Sequence, residues 1–249
     1  MDAIACREML RAYGYLIIAA AAVSSPYRVS AESASNGAPP HLAAAVDLVA
    51  HVAPQDTNYE HKRGSVVWGD AGQKYECHTD CSGLLNHLIQ HVYHQSDSEF
   101  RAWLGTGRPT AKTYHDAIAA GHGFLRIEQI AAILPGDIIA IKYEPGGTNT
   151  GHTMLVAEPP RVHQPSEPIV RGTTQWEVVV IDSSMSGHGK TDTRRKPDGK
   201  YRDGLGRGVL RLYGNDRGTI AGYSWSTLTG SDFYPQSQRH VEVGRLRLH

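Results

Sequence analysis

Hydrophobic positions in the first half of the chain repeat with a helical period. Between residues 41 and 52, apolar side chains recur every three or four positions, which predicts an amphipathic helix. A second helix is predicted from Cys81 to about His94, and its apolar face comprises Leu84, Leu85, Leu88, Ile89 and Val92. Shorter helices are predicted over residues 97–104 and 111–120, the latter ending at Gly121.

From residue 133 onward the pattern changes to period two and to β-branched residues. Strands are predicted at 138–143, 152–157, 176–182, 208–213, 219–226 and 241–248. The glycine-containing segment 144–149 is typical of a hairpin between the first two strands. Since the helices come first and the strands second, the pattern predicts an α+β fold with N-terminal helices packed on an antiparallel sheet.

The N-terminus has the pattern of a signal peptide. Arg7 and Arg11 precede an apolar run over 13–23, and both Val29-Ser30-Ala31 and Ala22-Val23-Ser24 resemble cleavage sites. The alternative is a short core helix. The run is shorter than the roughly 20 residues that span a bilayer. We therefore expect a signal peptide over 1–31, a linker over 32–40 and one domain over 41–249. The protein would be periplasmic or secreted, without stable membrane insertion.

Composition narrows the possible partners. Lys plus Arg and Asp plus Glu both total 25, so the charge gives no indication of nucleic acid binding. One insertion, at about 186–207, is polar and rich in Gly, Lys, Arg and Asp. It is interpreted as a solvated, mobile loop, either a lid or a simple insertion; its basic residues could alternatively hold an anionic polymer.

Cys81 stands at the start of the second predicted helix. Asp80 is a suitable N-cap, and the positive end of the helix dipole favours a thiolate at Cys81. Cys81 is therefore either a nucleophile or a buried structural cysteine. Cys6 would leave with the signal peptide. Cys77 and Cys81 are expected to stay unpaired, since a bridge across four residues into a helix start is awkward.

A cysteine nucleophile needs a base, and the base needs an orienting partner. His152 begins one predicted strand, and Asp182 closes the next one. If these strands are neighbours, the two side chains face each other at the same end of the sheet. Helical phase points Cys81 at that sheet. The predicted roles are nucleophile for Cys81, general base and acid for His152, and orienting residue for Asp182.

Six segments occur in the order known from one family of enzymes. They are Val67-Trp68-Gly69, Asp80-Cys81-Ser82-Gly83-Leu84, Arg108-Pro109-Thr110-Ala111, Leu134-Pro135-Gly136-Asp137-Ile138, Gly151-His152 and Ile181-Asp182-Ser183. Together they resemble the NlpC-type family of papain-like cysteine peptidases, over roughly residues 55–225. The third catalytic position, commonly His in that family, is Asp182 here.

The resemblance implies a papain-like NlpC-type fold, with helices on an antiparallel sheet or half-barrel. It implies hydrolysis of an amide in peptidoglycan stem peptides, with no cofactor or metal. The oxyanion would be held by the Cys81 N–H and by a tyrosine hydroxyl from Tyr59 or Tyr75. The resemblance gives Asp80 and Ser82 a role in holding the substrate, although Asp80 as a plain N-cap is equally compatible with the sequence.

Three alternatives remain at the level of sequence. His87, His91 and His94 share one helix face and, with Cys77 and His78, could bind zinc, but a solvent-facing polar surface is favoured. The same triad would also serve a cysteine acyltransferase or transamidase. A non-catalytic exported binding domain is the third.

Overall fold

Four α-helices and two sheets make up the part of the chain that the structure describes. The computed structural model describes residues 37–61, 64–143 and 149–248. The helices are α1 (Pro40–His51), α2 (Cys81–Tyr93), α3 (Asp97–Leu104) and α4 (Ala111–Ala119). No helix among these residues is long and apolar enough to cross a membrane. The predicted signal peptide and linker positions 32–36 lie outside the described residues.

All four predicted helices are present within two residues of their predicted bounds. The linker prediction was one residue too long, because α1 begins at Pro40, a residue suited to the first helical turn. The third predicted helix matches α3, whose start is fixed by a capping box between Ser96 and Glu99. Helical periodicity and capping residues together thus located the helices.

The strands form a small sheet before α2 and a large sheet after α4. The small sheet contains β1 (Thr57–Asn58), β2 (Ser65–Trp68) and β3 (Tyr75–His78). The large sheet contains β4 (Phe124–Arg126), β5 (Ile138–Lys142), β6 (Gly151–Val156), β7 (Arg161–Val162), β8 (Thr174–Ser184), β9 (Gly204–Gly214), β10 (Ile220–Ser224), β11 (Phe233–Pro235) and β12 (His240–Leu246). Every pairing in the large sheet is antiparallel. The predicted α+β class with an antiparallel sheet is confirmed.

The order of strands in the large sheet is β11-β10-β9-β8-β6-β5-β12-β4, and β7 pairs with β8 outside that path. Strands β6 and β8 are therefore neighbours, as the sequence analysis required. Their ladder joins Leu155 to Ile181 and Val156 to Val180. Beyond this short ladder lie His152 and Asp182, at the end of the sheet where α2 begins.

The large sheet is buried on both faces, and alternate residues of a strand enter different cores. In β5, Ile138 and Ala140 join the core beneath the helices, whereas Ile139 and Ile141 join the core on the opposite face. The second core also takes side chains from the non-neighbouring strands β10 and β12. The sheet therefore curls around this second core.

The segment 186–207 differs from its prediction as a solvated loop. It spans the connection between β8 and β9, which pair over eleven residues each. His188, Asp192 and Arg194 within it are buried. The polar residues of this insertion are thus directed partly inward, against the end of the β8–β9 hairpin, and not only toward solvent.

Gly83 in the first turn of α2 tolerates no side chain. A Cβ at this position would lie 2.0 Å from Thr79 Oγ1 and 3.0 Å from Asp80 Oδ1. We expect Gly83→Ala to lower the free energy of unfolding by about 1–3 kcal/mol through overpacking. Urea denaturation measures this change. Gly230→Ala is the matched control, because a Cβ there meets open space; equal stability of the two variants would contradict the prediction.

Candidate active site

Asp80 caps the helix that begins at Cys81. Its carboxylate Oδ1 accepts the backbone N–H of Gly83 at 2.7 Å and the Ser82 hydroxyl at 3.2 Å. The hydroxyl of Ser183 in β8 donates to the Thr79 carbonyl oxygen at 2.6 Å. This last bond links the start of α2 to β8, the strand that carries Asp182. Cys81 is therefore positioned both by the cap of its own helix and by the neighbouring sheet.

His152 and Asp182 are in direct contact. His152 Nε2 lies 2.6 Å from Asp182 Oδ2, and both residues are buried. A carboxylate can only accept, so Nε2 donates. Its other ring nitrogen, Nδ1, is then free to serve Cys81, whose thiol lies close enough for the charge of His152 to act on it. The three residues predicted as a triad are brought together by the fold.

The charges in this contact favour a thiolate and an imidazolium. Burial on its own raises the pKa of Cys81, but the positive charge of His152, its hydrogen bond and the Thr153 N–H outweigh burial, so the pKa is lowered. Burial likewise opposes charge on His152, yet the Cys81 charge and the Asp182 hydrogen bond raise its pKa to about 10. Both shifts favour the ionic form of the pair, which contains the reactive form of the thiol.

Asp182 is held by two further residues that no sequence motif indicates. Oδ2 lies 2.9 Å from His188 Nε2, and Oδ1 lies 2.9 Å from Arg194 Nη2. Despite burial, Arg194 and the two histidines hold the pKa of Asp182 well below its usual range. Arg194 also binds Asp192, through Nε at 2.9 Å and Nη2 at 2.7 Å. Asp182 is thus kept ionised and oriented for His152.

His188 bridges the cluster to the neighbouring loop. Its Nδ1 lies 2.7 Å from the Trp225 carbonyl oxygen, while Nε2 faces the Asp182 carboxylate. Both ring nitrogens therefore face acceptors, and the two contacts fix the orientation of the ring.

The two tyrosines predicted as oxyanion donors have different positions. The Tyr59 hydroxyl lies beside Cys81, and burial together with the Cys81 charge raises the Tyr59 pKa. Tyr75 instead donates to Asp47 Oδ2 at 3.0 Å and stacks on His51. The proposal of Tyr75 for the site was wrong, because its place in β3 directs it toward α1.

Asp80 and Ser82 were predicted to hold substrate. Both are buried, and Ser82 is bonded to Asp80 itself. The other carboxylate oxygen of Asp80 binds Arg108 Nη2 at 3.1 Å. Asp80 therefore acts in the structure as the N-cap, and its ion pair with Arg108 joins α2 to the turn before α4.

A cavity of about 300 Å³ opens beside His152. It is lined by Tyr59, Tyr143, Asn149, His152, Ser184, Met185, Ser186, Trp225, Tyr234 and Arg239. Cys81 itself faces the narrow gap between α2 and the sheet. His152 and Tyr59, whose charges and hydroxyl interact with Cys81, both line the cavity, so a molecule in this cavity would lie next to these two neighbours of Cys81.

Two clusters within the described residues have donor atoms close enough for a metal. In the first, His152 and His188 contact the same Asp182 oxygen directly at hydrogen-bond distance, and Arg194 occupies the other oxygen. This geometry suits hydrogen bonding better than metal coordination, which spreads its ligands around an ion. The second cluster contains His115, His240 and Glu242, but Glu242 is bound by both Nε and Nη2 of Arg126.

The predicted histidine stripe on α2 has structural contacts. His87 Nε2 lies 3.0 Å from the Gly64 carbonyl oxygen, and His91 stacks on Trp68 with ring centres 4.1 Å apart. Neither belongs to a cluster of metal-ligating atoms among the residues that the structure describes. Cys77 and Cys81 are both free thiols, as predicted.

The chain is thus an α+β protein with a buried Cys–His–Asp arrangement at the junction of a helix and an antiparallel sheet. It is 37% identical over 204 residues to an uncharacterized protein of Acanthamoeba polyphaga mimivirus. The alignment covers 78% of this chain and 89% of the viral protein, so the chain belongs to the same family. No family model matches the sequence, and no solved structure matches it significantly.

Proposed function

We propose that this protein is a cysteine hydrolase that cleaves an amide bond through Cys81, His152 and Asp182. The observation that carries the proposal is the buried 2.6 Å contact between His152 and Asp182, with the Cys81 thiol next to His152. A nucleophile next to a base, and a base next to an orienting group, is the arrangement that acyl transfer requires. A buried structural cysteine has no need of these partners.

In the proposed mechanism, the Cys81 thiolate attacks the amide carbonyl carbon and the carbonyl π electrons move to oxygen. As the C–N bond breaks, His152 gives its proton to the departing amine and a thioester remains on Cys81. Water then attacks the thioester while His152 takes up a proton. Breaking of the C–S bond releases the carboxylic acid and restores the thiolate and imidazolium.

The oxyanion would be stabilised at the N-terminus of α2. The first N–H groups of a helix have no acceptor within it, and Asp80 takes that of Gly83. The Cys81 N–H, at the start of this helix, is therefore available to a developing negative charge. The Tyr59 hydroxyl, which lies beside the Cys81 sulfur, is the second candidate donor.

We further propose an NlpC-type, papain-like fold, export from the cell, and peptidoglycan stem peptides as substrate. The support for this assignment is the order of sequence motifs from Val67-Trp68-Gly69 to Ile181-Asp182-Ser183. The helix α2 packed against β6 and β8 is compatible with it.

Incubation of purified peptidoglycan with wild type and with Cys81→Ala tests the proposal. We expect wild type to release fragments that carry a new amino terminus and the mass of one added water, and Cys81→Ala to release none. Cys77→Ala is the matched control, because Cys77 is the other buried free thiol among the described residues and lies next to Thr57 rather than His152. Identical fragments from wild type and Cys81→Ala would refute the substrate assignment. Fragments coupled to added glycinamide, in place of water, would indicate a transferase.

A further inference from the structure

The cavity beside His152 has a cation in its wall. Arg239, at the turn between β11 and β12, lies with its guanidinium carbon 3.6 Å from the ring centre of Tyr234 and 4.6 Å from that of Tyr143. Its Nη1 donates to the Tyr223 hydroxyl at 3.3 Å. Two aromatic faces and one hydroxyl thus hold a half-buried guanidinium in a fixed orientation.

Arg239 has no carboxylate partner among the described residues. Elsewhere in the large sheet, two arginines with part of the side chain exposed are paired: Arg126 with Glu242 and Arg245 with Asp137. A guanidinium has several N–H donors in a planar fork, and the described part of the chain offers an acceptor to Nη1 alone. The remaining donors are available to a ligand in the cavity.

The lining of the cavity contains no acidic residue in the part of the chain that is described. Its ionisable cations are Arg239 and His152, and the rest of the wall is aromatic, hydroxyl or amide in character apart from Met185. A concave wall with one sign of charge concentrates ligands of the opposite sign. Tyr143 connects Arg239 with the surroundings of Cys81. Its ring is in contact with the Arg239 guanidinium, and burial together with the charge of Cys81 raises its pKa.

We propose that Arg239 binds a carboxylate of the substrate, so that the amide cleaved at Cys81 belongs to a peptide with a free carboxyl group close to the scissile bond. This inference rests on the proposed function of Cys81. A carboxylate matches the planar fork of a guanidinium, and the stacked tyrosines keep that fork in place. Arg239 would thereby select anionic peptides over neutral ones.

Alkylation of Cys81 by a charged and a neutral reagent tests this inference. Iodoacetate carries a carboxylate and iodoacetamide does not, while both attack the same sulfur. We expect the ratio of the two rate constants, iodoacetate over iodoacetamide, to fall roughly tenfold in Arg239→Met at low ionic strength. Mass spectrometry of the Cys81 peptide gives each rate. The ratio within one variant cancels any general change in thiol reactivity.

Two further variants complete the design. Arg217→Met removes the same charge from the exposed turn between β9 and β10 and should leave the ratio at its wild-type value. Arg239→Lys keeps the positive charge, so its ratio of the two rate constants should stay close to the wild-type value. An independent readout is protection: acetyl-alanyl-glycine should slow iodoacetamide labelling of wild type more than its amide does, and Arg239→Met should abolish that difference.

The outcomes separate the two proposals. Fast labelling of Cys81 by iodoacetamide, with the same reagent ratio in wild type and Arg239→Met, overturns the carboxylate inference and leaves the nucleophile intact. Labelling of Cys81 no faster than that of Cys77 by either reagent overturns the proposed function, and the inference falls with it. A ratio that falls equally in Arg217→Met assigns the effect to net charge and overturns the role of Arg239.

Discussion

His152→Ala slows the alkylation of Cys81 by iodoacetamide about a hundredfold or more at pH 6. In wild type, His152 holds the pKa of Cys81 below the ordinary thiol value. Without the imidazolium, the main opposition to burial is removed, so the pKa of the thiol rises. An ordinary thiol with a pKa of about 8.5 is less than about 1% ionised at pH 6. Labelling quenched at fixed times and analysed by mass spectrometry measures the loss of alkylation rate.

The pH profile of wild type follows from the same two groups. The ionic pair exists between the lowered pKa of Cys81 and the raised pKa of His152, about 10. The labelling rate should therefore stay constant as the pH falls below the usual pKa of a thiol. It should change only at high pH, where His152 loses its proton. In His152→Ala the rate should instead rise steadily with pH, since the thiol must ionise unaided.

Cys77 is the internal control for both profiles. Burial raises its pKa to about 12, so its labelling should be slow in wild type and in His152→Ala. Faster labelling of Cys77 in the variant would reveal unfolding, which would invalidate the comparison for Cys81. Equal, slow labelling of Cys77 and Cys81 in wild type would contradict the assignment of Cys81 as a nucleophile.

The sequence was sufficient to predict the three residues in contact, and the reason is geometric. Cys81 follows a capping Asp at a helix start, and His152 and Asp182 flank predicted strands that pair as neighbours. Helix caps and strand ends depend on neighbouring residues in the sequence, so they can be predicted without knowledge of the tertiary structure. The six short strands β1, β2, β3, β4, β7 and β11 were missed, because each contains only two to four residues, too few to show a clear apolar alternation.

Other site residues leave no local signal in the sequence. His188 and Arg194 lie in a Gly- and Lys-rich connection where no periodicity marks burial, and their burial arises because the connection folds back on the β8–β9 hairpin. Arg239 reaches the cavity only because the sheet curls and brings the β11–β12 turn toward the end of β5. Tyr75 and Tyr59 looked equivalent in the sequence, and only tertiary packing separates them.

Arg194→Met lowers the free energy of unfolding by about 3–5 kcal/mol at neutral pH. Arg194 is 2% exposed and sits between Asp182 and Asp192, both of which are buried. Removing one partner of a buried ion cluster leaves the other charges uncompensated. Urea denaturation monitored by circular dichroism measures the loss. Arg161→Met is the matched control, because its ion pair with Glu158 is on the surface and is worth at most about 1 kcal/mol.

The stability difference between wild type and Arg194→Met should shrink as the pH falls. In wild type the lowered pKa of Asp182 contributes stability that is present above its unfolded pKa, about 3.9, and is lost as the pH falls through the folded value. In the variant, burial is no longer opposed by Arg194, so the pKa of Asp182 rises and protonation relieves the penalty at acidic pH. A difference that stays constant from pH 7 to about pH 4, or a loss no greater than that of Arg161→Met, would mean that Arg194 packs in the loop without compensating Asp182. His152 would then owe its orientation to His188 and Asp182 alone.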